Sequence, residues 1–296
     1  MSVTPSARPP QRPISVVIAA HNEQNVIGRT LDSLLAQGVD RPVEIIVSAN
    51  GCSDRTAAVA TRAGVTVIDR SEPGKAAALN AADAVASGFP RVYLDADIVV
   101  PKDGLAAIIE ALETLPGVLA VVPRRRVNTE HCPWPVRGYY AVNERLPVFR
   151  DGLFGRGLIA ISQAGRERFT EFPTVIADDL FLDGQFSSLE RAQVGQIEVV
   201  VDAPRTTRDL VRRLVRVRRG NSQLRLLARA GQVDAQVRPS DRWAWLREVV
   251  LREPRLVVAA IPYCAITLVA AVLARRPARS GQEWGRDEST RAPGAS

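Results

Sequence analysis

The chain has 296 residues, 46% hydrophobic and 24% charged, which is enough apolar content to bury a full core and excludes intrinsic disorder for most of its length. Its net charge of +7 rests on 37 arginines and two lysines, Lys75 and Lys102, and suits polyanionic partners of any kind: nucleic acid, anionic headgroups or a diphosphate. Cys52, Cys132 and Cys264 lie far apart with no CxxC pair, so neither a disulfide framework nor a structural zinc site is indicated and a reducing cytosol is the default.

Residues 1–12 are proline-rich and lack an apolar h-region, so they read as a flexible leader and not as a cleaved signal peptide. From there short β-branched runs alternate with helical patterns, the signature of βαβ units building a mostly parallel sheet. Ile14 to Ala20 is the first predicted strand. Glu23 to Gln37 carries an apolar stripe (Val26, Ile27, Leu31, Leu34, Leu35) closed by Gly38, and predicts a helix. A strand at Val43 to Ala49 follows, then a short helix capped by Ser53 and running to Arg62, a strand at Val65 to Asp69 and an alanine-rich helix from Lys75 to Ala86. Next come a strand at Arg91 to Asp95, a helix from Pro101 to about Leu115 and a strand at Val118 to Pro123.

Beyond Arg124 the regularity fails, and the stretch to Arg150 predicts helical pieces and loops on the open side of the sheet. Gly155, Arg156 and Gly157 precede a short strand, LIAIS. Further helices are expected from about Ala164 to Phe169 and from Asp178, with a strand at Ile197 to Val201. A helix from about Thr207 to Ala230 follows, where nine arginines lie between Arg205 and Arg229 against one acid, Asp209. On it Arg208, Arg212, Arg216 and Arg219 share one face, with Leu210, Leu214 and Val217 on another.

Leu256 to Ala274 is an uncharged run of 19 residues. As a helix it measures roughly 28 Å, barely a bilayer core, so a single span, an interfacial helix and a buried core helix all stay open. Arginines flank it on both sides and give no orientation, while Trp243 and Trp245 upstream suit a membrane interface. The polar segment from Pro277 to Ser296 reads as disordered. The division expected is a leader (1–12), a catalytic domain (13–232), membrane-associating helices (233–276) and a tail (277–296).

The chemistry concentrates in VYLDADIVVP, which puts Asp95 and Asp97 at the carboxyl end of a buried strand, where open α/β sheets hold ligands. Two hard oxygen donors with no His or Cys beside them suit Mg2+ or Mn2+ shared with substrate phosphates. In order, ISVVIAAHNEQNVIGRTLDSLLAQ, VEIIVSANGCSDRTAAVA, EPGKAAALNAA, LDAD, IADDLFL and LVRRLVRVRRGNSQL resemble the successive motifs of family 2 glycosyltransferases, over about residues 13–225.

That resemblance implies the GT-A fold of nucleotide-diphospho-sugar transferases, an α/β fold with a mostly parallel central sheet, here with C-terminal helices added. It implies inverting transfer of a sugar from a nucleotide diphosphate, with UDP the expected nucleotide, to a hydroxyl of a glycan or lipid-linked acceptor. By it Ala20, His21 and Glu23 border the nucleotide, and Asn50 stands where the family has an aspartate reading the uracil edge, a departure that leaves the base open. Lys75 and Asp95 meet the diphosphate, Asp95 and Asp97 the metal, and Arg216 and Arg219 the diphosphate or acceptor, with contact to anionic lipid as their rival role. Asp179, beside Asp178, is the base that deprotonates the acceptor. The family's usual aromatic after the arginine group is missing, Gly220 and Asn221 following instead. Two rivals accompany this reading: transfer to a polyprenyl phosphate, and a non-catalytic nucleotide-sugar-binding scaffold at the membrane. The expected place is the cytoplasmic face of the membrane, and nucleic acid is not an expected partner, since no recognition motif for it occurs.

Overall fold

The computed structural model describes residues 12–239 and 241–276; the tail and all of the leader but Arg12 lie outside the described residues. Seven strands form one sheet: β1 (Ile14–Ala20), β2 (Val43–Asn50), β3 (Val65–Arg70), β4 (Arg91–Asp95), β5 (Ala120–Asn128), β6 (Leu158–Ile161) and β7 (Arg191–Asp202). Their spatial order is β3-β2-β1-β4-β6-β5-β7. β1 to β4 are parallel, β5 pairs β7 in parallel, and β6 runs antiparallel between β4 and β5. The expected α/β class with a mostly parallel sheet is what the chain adopts.

Between the strands lie α1 (Ile27–Leu35), α2 (Thr56–Ala60), α3 (Lys75–Val85), α4 (Gly104–Thr114), α5 (Trp134–Asn143), α6 (Pro147–Asp151), α7 (Gln163–Arg166), α8 (Asp178–Asp183), α9 (Thr207–Arg229) and α10 (Val257–Ala274). α1 and α4 cover one face, with Ile27, Leu31, Leu105 and Ile108 fully buried against β1 and β4. α3 and the 172–186 segment cover the other, burying Ala78, Leu79, Phe172 and Phe181. Each such Leu, Ile or Phe contributes roughly 1.5–3 kcal/mol, so these two layers fix the position of everything at the strand ends. A third cluster, away from the sheet's centre, gathers α5, the start of α9 and α10 around Val136, Tyr139, Leu210 and Tyr263.

The elements differ from the expected ones where a loop has another task. α1 starts at Ile27 and not at Glu23, because residues 22–25 are bound across to residues 53–56: Glu23 N donates to Thr56 Oγ1 at 2.7 Å and Ser53 N to Asn22 Oδ1 at 2.8 Å. Ser53 is therefore spent on that loop and does not cap α2, whose first turn is held by Asp54 Oδ1 accepting from Thr56 N at 2.9 Å. Gly38 lies beyond the α1 cap residue, Ala36, and takes no left-handed conformation.

β5 continues to Asn128 where arginines 124–126 suggested a loop. Its pairing with β7 absorbs them after a bulge at Pro123/Arg124, and Arg126 meets Glu198 at 3.0 Å. β7 is correspondingly longer than Ile197 to Val201. On α9 the inward stripe is Leu210, Gly220 and Leu224; Val217 faces outward, and Gly220 lets the helix approach Ile176, where a Cβ would come within 3.2 Å of that residue.

Candidate active site

Parallel strands end together, so the carboxyl ends of β1, β2 and β4 bring Ala20, Asn50 and Asp95 to one edge of the sheet. Asn50 is 0% exposed, and its amide is spent on its neighbours: Nδ2 donates to Ala20 O at 2.6 Å and Oδ1 accepts from Gly74 N at 3.0 Å. It thus ties the end of β1 to the turn that opens α3, and the position the resemblance gives to base recognition braces the loops around it. His21 Nδ1 lies against the Asn50 carbonyl; a carbonyl only accepts, so Nδ1 carries the proton. Glu23 is buried at the same edge, and Ala20 is fully buried beneath it.

Gly74 delivers Lys75 to the first turn of α3, from which its ammonium reaches Asp95 Oδ1 and Asp178 Oδ2, each at 2.9 Å. One cation therefore joins the DxD strand to the second acidic motif, 83 residues further along the chain from Asp95 to Asp178. Burial lowers the lysine's pKa, and Asp178 and then Asp95 more than offset this, so the net shift is upward and the ammonium stays charged. Asp179, next to Asp178 in the first turn of α8, accepts from Gly155 N at 3.0 Å through Oδ2. Burial first, and the like charge of Asp178 second, push its carboxyl up to about 6, while Lys75 pulls the other way. A carboxylate so placed is a stronger proton acceptor than an ordinary aspartate.

The loop before β6 completes the wall. Gly155 and Gly157 both take left-handed backbone (φ +70° and +71°), and a Cβ on Gly157 would come within 2.5 Å of Ile98. This lets Gly157 O accept from Asp95 N at 2.8 Å while Gly155 N faces Asp179, so one loop holds both acidic motifs. Arg156 between them points inward and is buried, donating to Pro123 O at 2.9 Å and Gln193 Oε1 at 2.6 Å. Tyr93 and Phe172, packed edge to face at 5.0 Å, lie under the cleft that these residues line.

A support of this cleft gave no local signal in the sequence. Asp183, at the end of α8, is buried and bound by Arg191 at 2.6 Å, Arg238 at 3.0 Å and Leu153 N at 2.8 Å. In LFLD it looks like the end of an apolar turn, and its partners come from 8 to 55 residues away.

The two arginines singled out on α9 part company. Arg216 is half-buried, one turn before Gly220. The guanidinium of Arg219 donates to the carbonyls of Leu273 at 3.4 Å and Arg276 at 2.9 Å and so caps the last turn of α10. At this position the basic face serves the helix packing.

Among the described residues no group of three or more His, Cys, Asp or Glu side chains is gathered to hold a metal by protein ligands alone. Asp97 is exposed and the Asp95 side chain is 46% exposed, on the rim, with a cation already seated against it in Lys75. Hard oxygen donors, few in number and open to solvent, fit a Mg2+ or Mn2+ ion that takes its remaining ligands from substrate oxygens and water.

Residues 15–163, about half the chain, match the family described as Glycosyl transferase family 2, and the chain belongs to that family. It is similar to the 4,4'-diaponeurosporenoate glycosyltransferase of Staphylococcus aureus (strain MRSA252), 32% identical over 119 residues that cover 37% of this chain and 31% of that protein. An uncharacterized glycosyltransferase of Nostoc sp. is 32% identical over 107 residues, covering 34% of this chain and 33% of its own. The match thus spans about a third of these relatives' length.

Among solved structures, the mannosyltransferase PcManGT from Pyrobaculum calidifontis, in complex with GDP-Man and Mn2+, superimposes with a TM-score of 0.58 at 23% identity, over 91% of this chain and 77% of that one. Glucosyl-3-phosphoglycerate synthase from Mycobacterium tuberculosis, in complex with Mn2+, UDP and glucosyl-3-phosphoglycerate, gives 0.54 at 26% identity over 74% and 80%. The first likeness shows the fold alone; both match the sheet and helices described above.

Proposed function

We propose that the chain transfers a sugar from a nucleotide diphosphate to an acceptor hydroxyl in one displacement, with inversion at the anomeric carbon. The observation that carries this is the joined acidic cluster: the raised Asp179 carboxyl stands next to the Lys75 bridge between Asp178 and Asp95. Asp179 takes the acceptor's proton as its oxygen bonds to the anomeric carbon, and the bond to the nucleotide diphosphate breaks on the opposite side. Lys75, at the start of α3, offers positive charge and the exposed N–H groups of a helix terminus to the leaving diphosphate. Asp95 and Asp97 would hold Mg2+ or Mn2+, which when bound neutralises charge on that diphosphate. His21 and Glu23 border the nucleotide. The solved relatives in complex with Mn2+ and GDP-Man or UDP support a nucleotide-sugar donor and a divalent cation.

Among acceptors, the exposed apolar helix α10 favours a lipid-linked one, met at the cytoplasmic face of the membrane. The same helix keeps a polyprenyl phosphate as a second reading. A phosphate acceptor is already anionic and needs no base, so that reading requires turnover to survive the loss of Asp179.

The test is donor binding and hydrolysis across UDP-, GDP- and dTDP-sugars, with and without Mn2+, for the parent and Asp97→Ala. Metal-dependent preference for one donor, lost in the variant by a factor of about 100 or more, is expected. Activity within severalfold of the parent would remove Asp97 from the reaction, and donor binding with no turnover of any donor would leave the scaffold reading.

A further inference from the structure

We propose that α10 does not cross a bilayer but lies in its surface, with the outward face of the helix seated among the lipids of an anionic leaflet. The segment Pro254–Ala274 is long and apolar enough to cross, with a mean hydropathy of 2.5. Its inward face is committed to the domain. Pro262 packs into the space left by Gly138, where a Cβ would come within 2.7 Å of the proline ring, and Tyr263 stacks on Tyr139 at 5.3 Å between ring centres. Ile266 and Ala270 are buried along the same side.

Both ends of the helix are also tied down, by Arg145 to Glu253 at 3.2 Å before it and by Arg219 to the carbonyls of Leu273 and Arg276 at its last turn. A crossing α10 would draw α9 into the hydrocarbon beside it, with Arg212, Arg216 and Arg219. Arginine in that setting carries a heavy penalty. In-plane seating leaves α9 in water or among headgroups.

The outward face supplies the contact. Val257, Ile261, Leu268 and Val272 follow one line along the helix with Val258 and Val269 beside them, and all six are exposed. A contiguous apolar surface of this kind marks an interaction site. Charge identifies the occupant. Four arginines stand against three acids in residues 241–255, and Arg275 and Arg276 follow the helix with no acid between, so each end is net positive. Trp243, also exposed, lies upstream and is of a residue type enriched at membrane interfaces. Net positive ends and an apolar middle fit an anionic bilayer surface along the whole helix. A second copy packed on this face would bring like charges together.

The experiment uses the full chain with vesicles of phosphatidylcholine alone or mixed with phosphatidylglycerol, read by co-sedimentation, alkaline carbonate extraction and accessibility of a C-terminal tag. Expected are salt-sensitive binding to the anionic vesicles, release by carbonate, and a roughly tenfold or greater loss in Ile261→Glu/Leu268→Glu, whose sites are exposed so that melting temperature and donor binding stay unchanged. Retention after carbonate with the tag shielded inside sealed vesicles would mean a span and overturn the proposal. So would absence of vesicle binding, or a dimer in solution that the double variant dissociates. Vesicle binding is itself read without donor or turnover, so its failure and that of the transferase reading are separable.

Discussion

The half of the molecule from β1 to β4 and the half from β5 to α10 meet at one cleft but are held together differently. In the first, β1 to β4 form one parallel run whose strands pair with neighbours at most three strands distant in the chain, so period and turn residues decide the structure locally. In the second, β6 is inserted antiparallel between β4 and β5, and β7 returns beside β5 from about 70 residues further on. The acidic residues divide the same way: Asp95 and Asp97 end a strand of the first half, and Asp178 and Asp179 open a helix of the second. Lys75 and the Gly155–Gly157 loop are the joints. The difference teaches that the first half is a preformed platform, and that the proton-accepting residue depends on long-range contacts to reach it.

The largest expected effect breaks the second half's contribution alone. Asp179→Asn keeps the shape of the side chain and the hydrogen bond from Gly155 N but removes the proton acceptor. It should lower kcat by about 10²–10⁴-fold with donor affinity little changed. Steady-state rates together with calorimetric donor binding check this. Equal loss of both would make Asp179 a structural residue, and full turnover would favour the phosphate acceptor.

Next comes the hidden brace. Asp183→Ala removes the partner of Arg191 and Arg238 and leaves two guanidinium groups close together under α8. Loss of one member of a buried pair costs about 3–5 kcal/mol, so the melting transition should fall by several degrees, with urea unfolding as the independent measure. Asp97→Ala, at an exposed rim, should leave stability untouched. If the two variants melt alike, the acceptor-side half does not rely on this brace.

These contrasts follow what the sequence made legible. β1 and β4 were readable to the residue because a buried parallel strand is a continuous apolar run between polar turns. The two acidic motifs were readable because carboxylates beside such runs stand out. β5 was cut short at Pro123, since its outer part is Arg-Arg-Arg and only pairing with the distant β7 makes a strand of it. The spacing of Arg219 shows only that it shares a basic face, whereas the carbonyls it caps belong to residues 54–57 positions away. Asp183 and Arg238 could not be paired by any local pattern. Asn50 sits at the end of β2, but that both ends of its amide are spent on Ala20 and Gly74 follows from loops 24–30 residues away.

The smallest effect tests the joint itself. Asp179 accepts a proton only when ionised, and its carboxyl is pushed up to about 6, so kcat/KM of the parent should fall as the pH drops through that value. Lys75 holds the carboxyl below where burial and Asp178 alone would set it. Lys75→Met removes that positive charge, so the acid limb should move to higher pH by roughly one pH unit. Diphosphate binding weakens in the same variant, which is why the position of the limb and not the rate is the readout. A limb that stays near the parent value while the rate falls would show that Lys75 serves the diphosphate alone and leaves the two halves electrostatically independent. A limb that moves up makes the lysine the link through which the donor side sets the proton affinity of the acceptor side.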